Sequence, residues 1–412
     1  MRKLRIVLCA LCLALLVPLL TYARQILPLD TRPLVAEKYA GWSGVLRLWM
    51  FEGWPCGSGS LSPWLNRCIA RFEKRHPGVY VQPRAVDAGA IAALNDSGIL
   101  PPDMILFPPG LLDSPEGLLP LERPASLRAA LIGSGIWHGA LYAVPVAMGG
   151  YAWAWNAALI DGIPDSWRDS DAALAVPAPE DWRHWDAALL ALCSGRYSMA
   201  PDGGGVEATL APQGVDLGLV EAATPTPSAS PAPNSAATLP RRLPESFQYD
   251  ENAWRRFINA EAAAMPVTQR EARRLQALSD QGKGPDWRLS PGDGAFTDQL
   301  LSLAIVNRTD AAPQQALCEE FLSWLLSEEA QGELHTVSAF GVTDAASGYE
   351  AGDPLAAMDA ALRADTLRVP NSFDASWAED ASDIVREFIS NSAEAPELWR
   401  RLGERLDKKA ND

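Results

Sequence analysis

The sequence predicts an α/β protein of two lobes, and three observations carry that prediction. From Val45 to Phe107 the chain reads strand, helix, strand, helix, strand, which is the order of an open, mostly parallel sheet flanked by helices. From Gly139 to Asn156 two strand-like runs are separated by Pro-Val-Ala-Met-Gly-Gly, as when a chain leaves one sheet and enters another. Finally, 412 residues, 48% of them hydrophobic, are enough to fill two ordinary cores.

The N-terminus comes first. Arg2, Lys3 and Arg5 precede an apolar run from Ile6 to Leu20, and Thr21-Tyr22-Ala23 supplies small residues for cleavage. Residues 1–23 therefore read as a signal peptide or N-terminal anchor. Cys9 and Cys12 lack the small preceding residue that lipoprotein processing prefers. No other segment is long and apolar enough to span a membrane, so the remainder is expected to be exported, to the periplasm or the outer face of the cell membrane. The net charge of −16 argues against a nucleic-acid surface, which needs clustered Lys and Arg. Cys56, Cys68, Cys193 and Cys318 remain outside the signal. Export permits a Cys56–Cys68 bridge, and small buried thiols are the alternative for all four.

Residues 24–42 are irregular and proline-containing, a spacer. Val45 to Phe51 is a buried strand that runs into the loop Glu52-Gly53-Trp54-Pro55. Ser62 and Pro63 open a helix, with serine as cap and proline at the first helical position. Leu65, Cys68, Ile69 and Phe72 recur at offsets of three and four, the core face. His76-Pro77-Gly78 ends the helix, and Val79 to Val81 begins the next strand. Met104 to Phe107 is a third strand, stopped by Pro108-Pro109-Gly110. Pro145 falls in the strand-like run Leu141 to Val146, and a proline without an N–H marks an edge, a bulge or the end of pairing. Tyr151, Trp153 and Trp155 then alternate with alanines, the period of a second strand.

At this point the chain resembles the extracellular solute-binding proteins of family 1, the receptors of ABC importers that include maltose- and other sugar-binding proteins. The matching residues are Phe72-Glu73-Lys74-Arg75-His76-Pro77-Gly78-Val79, Pro102-Asp103-Met104-Ile105, Gly139-Ala140-Leu141-Tyr142-Ala143-Val144-Pro145, and Trp155-Asn156 before Ile163-Pro164-Asp165-Ser166-Trp167. It resumes at Trp254 to Met265, a helix leading to a short strand, and at Phe296 to Val306, the strand returning to the first lobe. Pro313 to Leu334 is similar to the family's long amphipathic helix, with Leu317, Phe321, Trp324 and Leu325 inward. Ser376 to Phe388 and Ala395 to Leu406 resemble its closing helices.

The resemblance implies a periplasmic-binding-protein-like clamshell. Its lobes would be residues 43–147 plus 293–340 and residues 148–292 plus 341–412. The chain would cross between them near Val146 to Gly150, near Ser290 to Ala295 and near Phe340 to Asp344. Residues 201–245 depart from the family. Their Gly, Ala, Pro, Ser and Thr cannot bury enough apolar surface to order themselves, so disorder is expected near 220–240 and the second lobe is reduced.

Ligands of two-lobed α/β receptors lie outside the carboxyl ends of the strands. That rule nominates Glu52 and Trp54, then Phe107 to Gly110, then Met148 to Tyr151. The resemblance adds Trp287 and Trp377 from the second lobe. Tryptophan suits a sugar because its flat face stacks on the C–H face of a pyranose. Six of the 15 tryptophans, Trp64, Trp182, Trp185, Trp254, Trp324 and Trp399, sit in helix patterns and read as packing. The charged sugar clamp of the maltose-binding relatives is missing, since Gly110 and Leu111 stand in its place.

Catalysis finds little support. His76, His138, His184 and His335 are dispersed with no metal spacing, and there is no nucleophile elbow or phosphate loop. Asp103 could partner Glu52 as a glycosidase pair but falls at the start of its strand. The expected protein is thus a non-enzymatic, monomeric receptor without cofactor or metal. Its partners would be a saccharide and ABC permease subunits. The rival is a membrane-tethered sensor or scaffold that keeps the fold with a degenerate ligand site. The reduced second lobe and missing clamp favour the rival, and the aromatic loops favour the receptor.

Overall fold

The computed structural model describes residues 42–54, 56–57, 59–92, 101–164, 171–178, 185–193, 248–291, 296–308, 312–363 and 367–390, apart from the side chains at 92, 190, 193 and 387–390. The expected signal peptide, the spacer up to residue 41, the Pro/Ser/Ala/Thr-rich insert and the helix expected over Ala395 to Leu406 lie outside the described residues, as does the side chain of Cys193.

The elements follow in chain order: β1 (Gly44–Phe51), α1 (Ser62–Arg75), β2 (Val79–Val86), α2 (Ala88–Ala92), β3 (Met104–Phe107), α3 (Ala129–Ile132), β4 (Ile136–Trp137), β5 (Ala140–Leu141), β6 (Val144–Met148) and β7 (Tyr151–Asn156). After these come α4 (Trp185–Cys193), α5 (Ala253–Ile258), β8 (Ala264–Thr268), α6 (Gln269–Asp280), β9 (Trp287–Pro291) and β10 (Leu300–Ile305). The last helices are α7 (Ala312–Leu325), α8 (Glu328–Gly332), α9 (Pro354–Leu362) and α10 (Trp377–Ser390).

Two sheets organise the chain. The first has the order β2-β1-β3-β10-β6, with β1 parallel to β2 and β3 and with β10 antiparallel to β3 and β6. The second has the order β8-β7-β9, and β7 is antiparallel to both neighbours. This α/β arrangement of helix-flanked sheets is the one expected, but strand direction is more mixed than a mostly parallel reading. β7 carries the chain out of the first sheet, and β8 and β9 each run back against it. Parallel contacts persist there as the bridges Leu174–Ala264 and Pro177–Asp250.

Pro145 lies in β6, at the outer edge of the first sheet, where a missing N–H costs no ladder bond on the open side. The register of β6 against β10 shifts between Leu301 and Ser302, beside Pro145, as a bulge would. The run expected as one strand from Leu141 to Val146 is two, because Leu141 pairs back with Ile136 in a hairpin before β6 begins.

α1 buries Trp64, Leu65, Cys68, Ile69 and Phe72, the expected face with Trp64 added. Its cap differs from expectation. Leu61 occupies the N-cap without a side-chain bond, Ser62 is already helical, and the Ser62 N–H donates to Ser60 Oγ at 3.1 Å. Two buried indoles pin α1 to its neighbours: Trp64 Nε1 donates to the Ala330 carbonyl at 2.8 Å, and Trp324 Nε1 to the Cys68 carbonyl at 2.9 Å. The helix expected from Pro313 to Leu334 breaks, because Ser327 accepts from the Ala330 N–H and so caps a new helix, α8. Cys56 and Cys68 are both buried and are not bridged to each other.

Asp103 has a structural role. Its carboxylate accepts from the Arg47 N–H and from Gln314 Nε2, each at 2.7 Å, and pairs with Arg308 at 3.1 Å. It therefore locks β1, β3 and the segment after β10 at the edge away from the junction of the sheets. One apolar cluster runs through the first sheet and into β7, β8 and α6. A second joins Tyr151 and Trp153 to α4 and α10. Among the described residues no helix is long and apolar enough to cross a membrane.

Candidate functional site

The site is built where the chain passes between the sheets. β6 ends at Met148 and β7 begins at Tyr151, so Gly149 and Gly150 make the passage. Both lie close against packed side chains. A Cβ on Gly149 would lie 2.2 Å from Gln269 Nε2, and one on Gly150 would lie 2.6 Å from Leu362 Cδ1. The return passage into β10 is stapled to this one. Gly149 N–H donates to the Gln299 carbonyl at 2.6 Å, Thr297 Oγ1 donates to the Gly149 carbonyl at 3.1 Å, and Gly150 N–H donates to Gln269 Oε1 at 3.1 Å. A third segment joins them through reciprocal backbone bonds between Met148 and Phe340 at 3.0 and 2.8 Å.

At the centre lies a buried polar knot. Tyr151 Oη donates to Asp298 Oδ1 at 2.6 Å and accepts from Gln299 Nε2 at 2.6 Å. Gln299 Nε2 also lies 3.1 Å from Asp298 Oδ1. Burial, and then the Asp298 charge, push the Tyr151 phenol well above its ordinary range, so it stays a donor at neutral pH. Beside it, Met148 Sδ accepts from Arg128 Nη2 at 2.7 Å. The same guanidinium donates to the Leu362 and Gly341 carbonyls at 2.8 and 3.1 Å. Burial, and then neighbouring Arg363, hold Arg128 below the usual arginine range.

An aromatic layer continues from the knot. Phe296 and Trp377 pack with ring centroids 5.0 Å apart, and the Trp377 N–H donates to the Asp374 carbonyl at 3.2 Å. Asp374 Oδ1 in turn accepts from Ser376 Oγ at 2.9 Å. Phe373 covers Phe107 at 5.9 Å and meets Trp137 at 6.1 Å. Gly110 N–H donates to the Ser372 carbonyl at 3.1 Å, which holds the loop after β3 against this segment.

These contacts place the seven residues nominated from sequence. Met148, Tyr151, Phe107 and Trp377 are brought to one junction, at 0%, 6%, 0% and 3% exposure. Phe107 is hidden because Phe373 lies over it. Trp54 is buried at 6%, in the loop after β1, while Glu52 stands exposed in the turn before it. Trp287 is not brought to the group. It pairs with Asn156 at the far end of β7, about 17 Å along the strand from Tyr151. There its Nε1 donates to Ser279 Oγ at 2.7 Å. The antiparallel register of β9 dictates that position.

Asp298, Gln299 and Phe373 belong to the junction and were not nominated. A rule based on the carboxyl ends of parallel strands overlooks them, because an antiparallel strand such as β10 presents its amino end at that edge. The polar lead-in Thr297-Asp298-Gln299 to a mostly apolar strand was the available signal.

The arrangement suits binding. Buried polar atoms without a partner among the described residues include the donors Trp54 Nε1, Trp377 Nε1 and Arg128 Nε and the acceptor Gln299 Oε1. Leaving such an atom unpaired costs about 1–3 kcal/mol. Among the described residues no group of three or more His, Cys, Asp or Glu is placed to hold a metal ion. A small polar cavity lies elsewhere, where Gln331, His335 and Tyr349 face Asp359 of α9 and Arg363 just beyond it.

The model of a family described as bacterial extracellular solute-binding protein matches residues 68–364. No curated protein sequence matches the chain. Among solved structures, the chain is similar to the maltodextrin-binding protein MalE1 from L. casei BL23 without ligand. The TM-score is 0.54 at 14% identity, over 90% of this chain and 100% of that one. It is also similar to the cyclic α-maltosyl-1,6-maltose-binding protein from Arthrobacter globiformis, with a TM-score of 0.52 at 11% identity, over 90% and 100% of the two chains. At these identities the likeness is one of fold, a two-lobed α/β architecture.

Proposed function

The chain belongs to the bacterial extracellular solute-binding protein family, and on that premise we propose that it captures a sugar or oligosaccharide outside the cytoplasm by hinge closure and presents it to the permease of an ABC importer. The two sheets are the centres of the two lobes, divided as residues 43–147 plus 293–340 and 148–292 plus 341–412. Gly149 and Gly150, the lead-in to β10 and the Phe340 segment form the hinge. The N-terminal apolar segment exports the chain, to the periplasm or the outer face of the membrane, and the receptor acts as a monomer without cofactor.

One observation carries the choice of ligand. Besides Arg128 Nε, three unpaired atoms at and near the junction are two indole donors and one amide acceptor, flanked by aromatic rings. A hydroxyl accepts from the first kind and donates to the second, whereas a carboxylate only accepts. A neutral, hydroxylated solute that enters as the lobes part relieves all three. Trp54, Phe107, Met148, Tyr151 and Trp377 line its path, with Glu52 at the rim, and Trp287 is left out. The similar structures are of proteins that bind maltodextrin and cyclic α-maltosyl-1,6-maltose, which supports the same class.

The test is a melting screen of the mature chain against glucose, maltose, maltotriose, maltoheptaose and non-saccharide solutes. A ligand at a hundred times its Kd stabilises the fold by about 2.7 kcal/mol. The reading expects such a shift for saccharides alone. The burial of the five lining residues favours a second reading, a non-transporting sensor or scaffold whose site stays shut. The absence of any saccharide shift would decide for it.

A further inference from the structure

Arg273, in the first turns of α6, reaches from the second sheet's helices into a socket shared with the first. Its Nε donates to Ser338 Oγ at 2.9 Å, and its Nη2 donates to Asp353 Oδ2 at 2.6 Å. The Tyr349 ring lies 5.7 Å from its guanidinium carbon. Asp353 caps α9, which packs on β9 and α6 and so moves with the second sheet. Ser338 follows the turn Leu334–Val337, which packs on α1 and so moves with the first. The Arg273–Ser338 bond therefore joins the two halves.

Gly57 closes the socket. A Cβ there would lie 2.3 Å from Ser338 Cβ and 2.7 Å from Arg273 Cγ, so the backbone of the loop rests directly on the bonded pair. Gly57 stands three residues beyond Trp54. The loop that carries Glu52 and Trp54 is thus seated on a contact between the halves, well away from the Tyr151 knot in sequence.

We propose that Arg273 is a positioning residue that latches the Glu52–Gly57 loop, and Trp54 with it, shut over the junction, and that ligand enters when the Arg273–Ser338 contact opens. The inference rests on reading that loop as part of the ligand path. The ion pair with Asp353 keeps the guanidinium aimed while the latch is open, since both partners sit on the same half.

Two substitutions separate the latch from the fold. Ser338 has a φ of 56°, a left-handed conformation that glycine adopts without cost. Ser338→Gly therefore removes the acceptor without straining the backbone. Arg273→Lys keeps the charge beside Asp353 but loses the fork that reaches both partners at once. Hydrogen exchange is measured by mass spectrometry on the ligand-free full chain. In both variants amides of residues 52–60 should exchange about five- to tenfold faster, while α1 keeps its wild-type protection. Wild-type exchange of the loop in both variants overturns the latch, and so does equal acceleration of α1. Because no ligand is present, this result stands or falls separately from the saccharide screen.

Discussion

Replacing Tyr151 by phenylalanine removes one oxygen from the centre of the junction. That oxygen donates to a carboxylate at 2.6 Å and accepts from Gln299 Nε2 at 2.6 Å. Hydrogen bonds to charged groups contribute about 1.5–3 kcal/mol. The change orphans no donor, because Gln299 Nε2 keeps Asp298 Oδ1 at 3.1 Å. The expected loss is therefore about 2 kcal/mol of unfolding free energy, roughly a thirtyfold change in the folding constant. Urea melts followed by tryptophan fluorescence and by circular dichroism read it directly, and the slope with urea should not change. The phenol remains protonated well above its ordinary range. The loss should therefore be equal near pH 7 and near pH 9, both below the usual tyrosine value. A loss under about 0.5 kcal/mol would mean that water already satisfies the hydroxyl. In that case the junction stands open in solution and the knot is not a staple.

Three further predictions follow from the packing and charges. Trp324→Ala should cost about 3–5 kcal/mol, since it empties a core site and removes the indole bond to the Cys68 carbonyl; chemical denaturation measures it. Burial pushes the Cys68 and Cys318 thiols up to about 12. Mass spectrometry after native labelling near pH 8 should therefore find both unmodified, and both should react once the chain is unfolded. Burial of Glu333 acts to raise its carboxyl, but hydrogen bonds from Arg71 and Arg67 outweigh it and hold the group below its ordinary 4.5. The stabilisation is thus present above that value and is lost as pH falls through the lower folded value. Glu333→Gln should flatten the acid limb of a stability profile by under about 1 kcal/mol, and an unchanged limb would deny the pairing any role.

Local pattern made much of the first sheet and one strand of the second legible. Alternation and β-branched runs placed β1, β3 and β7, Pro145 marked the edge strand, and Asp103 at a strand start proved to be a lock. What the pattern did not carry depends on partners distant in sequence. The run from Leu141 to Val146 splits because Leu141 finds Ile136. The helix after Pro313 breaks because Ser327 caps a new one. The site shows the same division. Met148 and Tyr151 were legible from the proline and the two glycines between strands. That Phe373 would cover Phe107, or that the register would carry Trp287 to the far end of β7, is fixed by pairings of remote segments. Asp298 and Gln299 escaped because only the finished sheet reveals that β10 enters the junction by its amino end.

The central claim is that the junction opens to take a neutral hydroxylated solute. Calorimetric titration of the mature chain with maltotriose and maltoheptaose tests it most directly. The account predicts a saturable one-to-one isotherm with a negative heat-capacity change, from burial of the ligand against the aromatic layer. A cooperatively melting chain that gives no saturable heat with either saccharide, up to about 10 mM and hence weaker than about 4 kcal/mol, would contradict it.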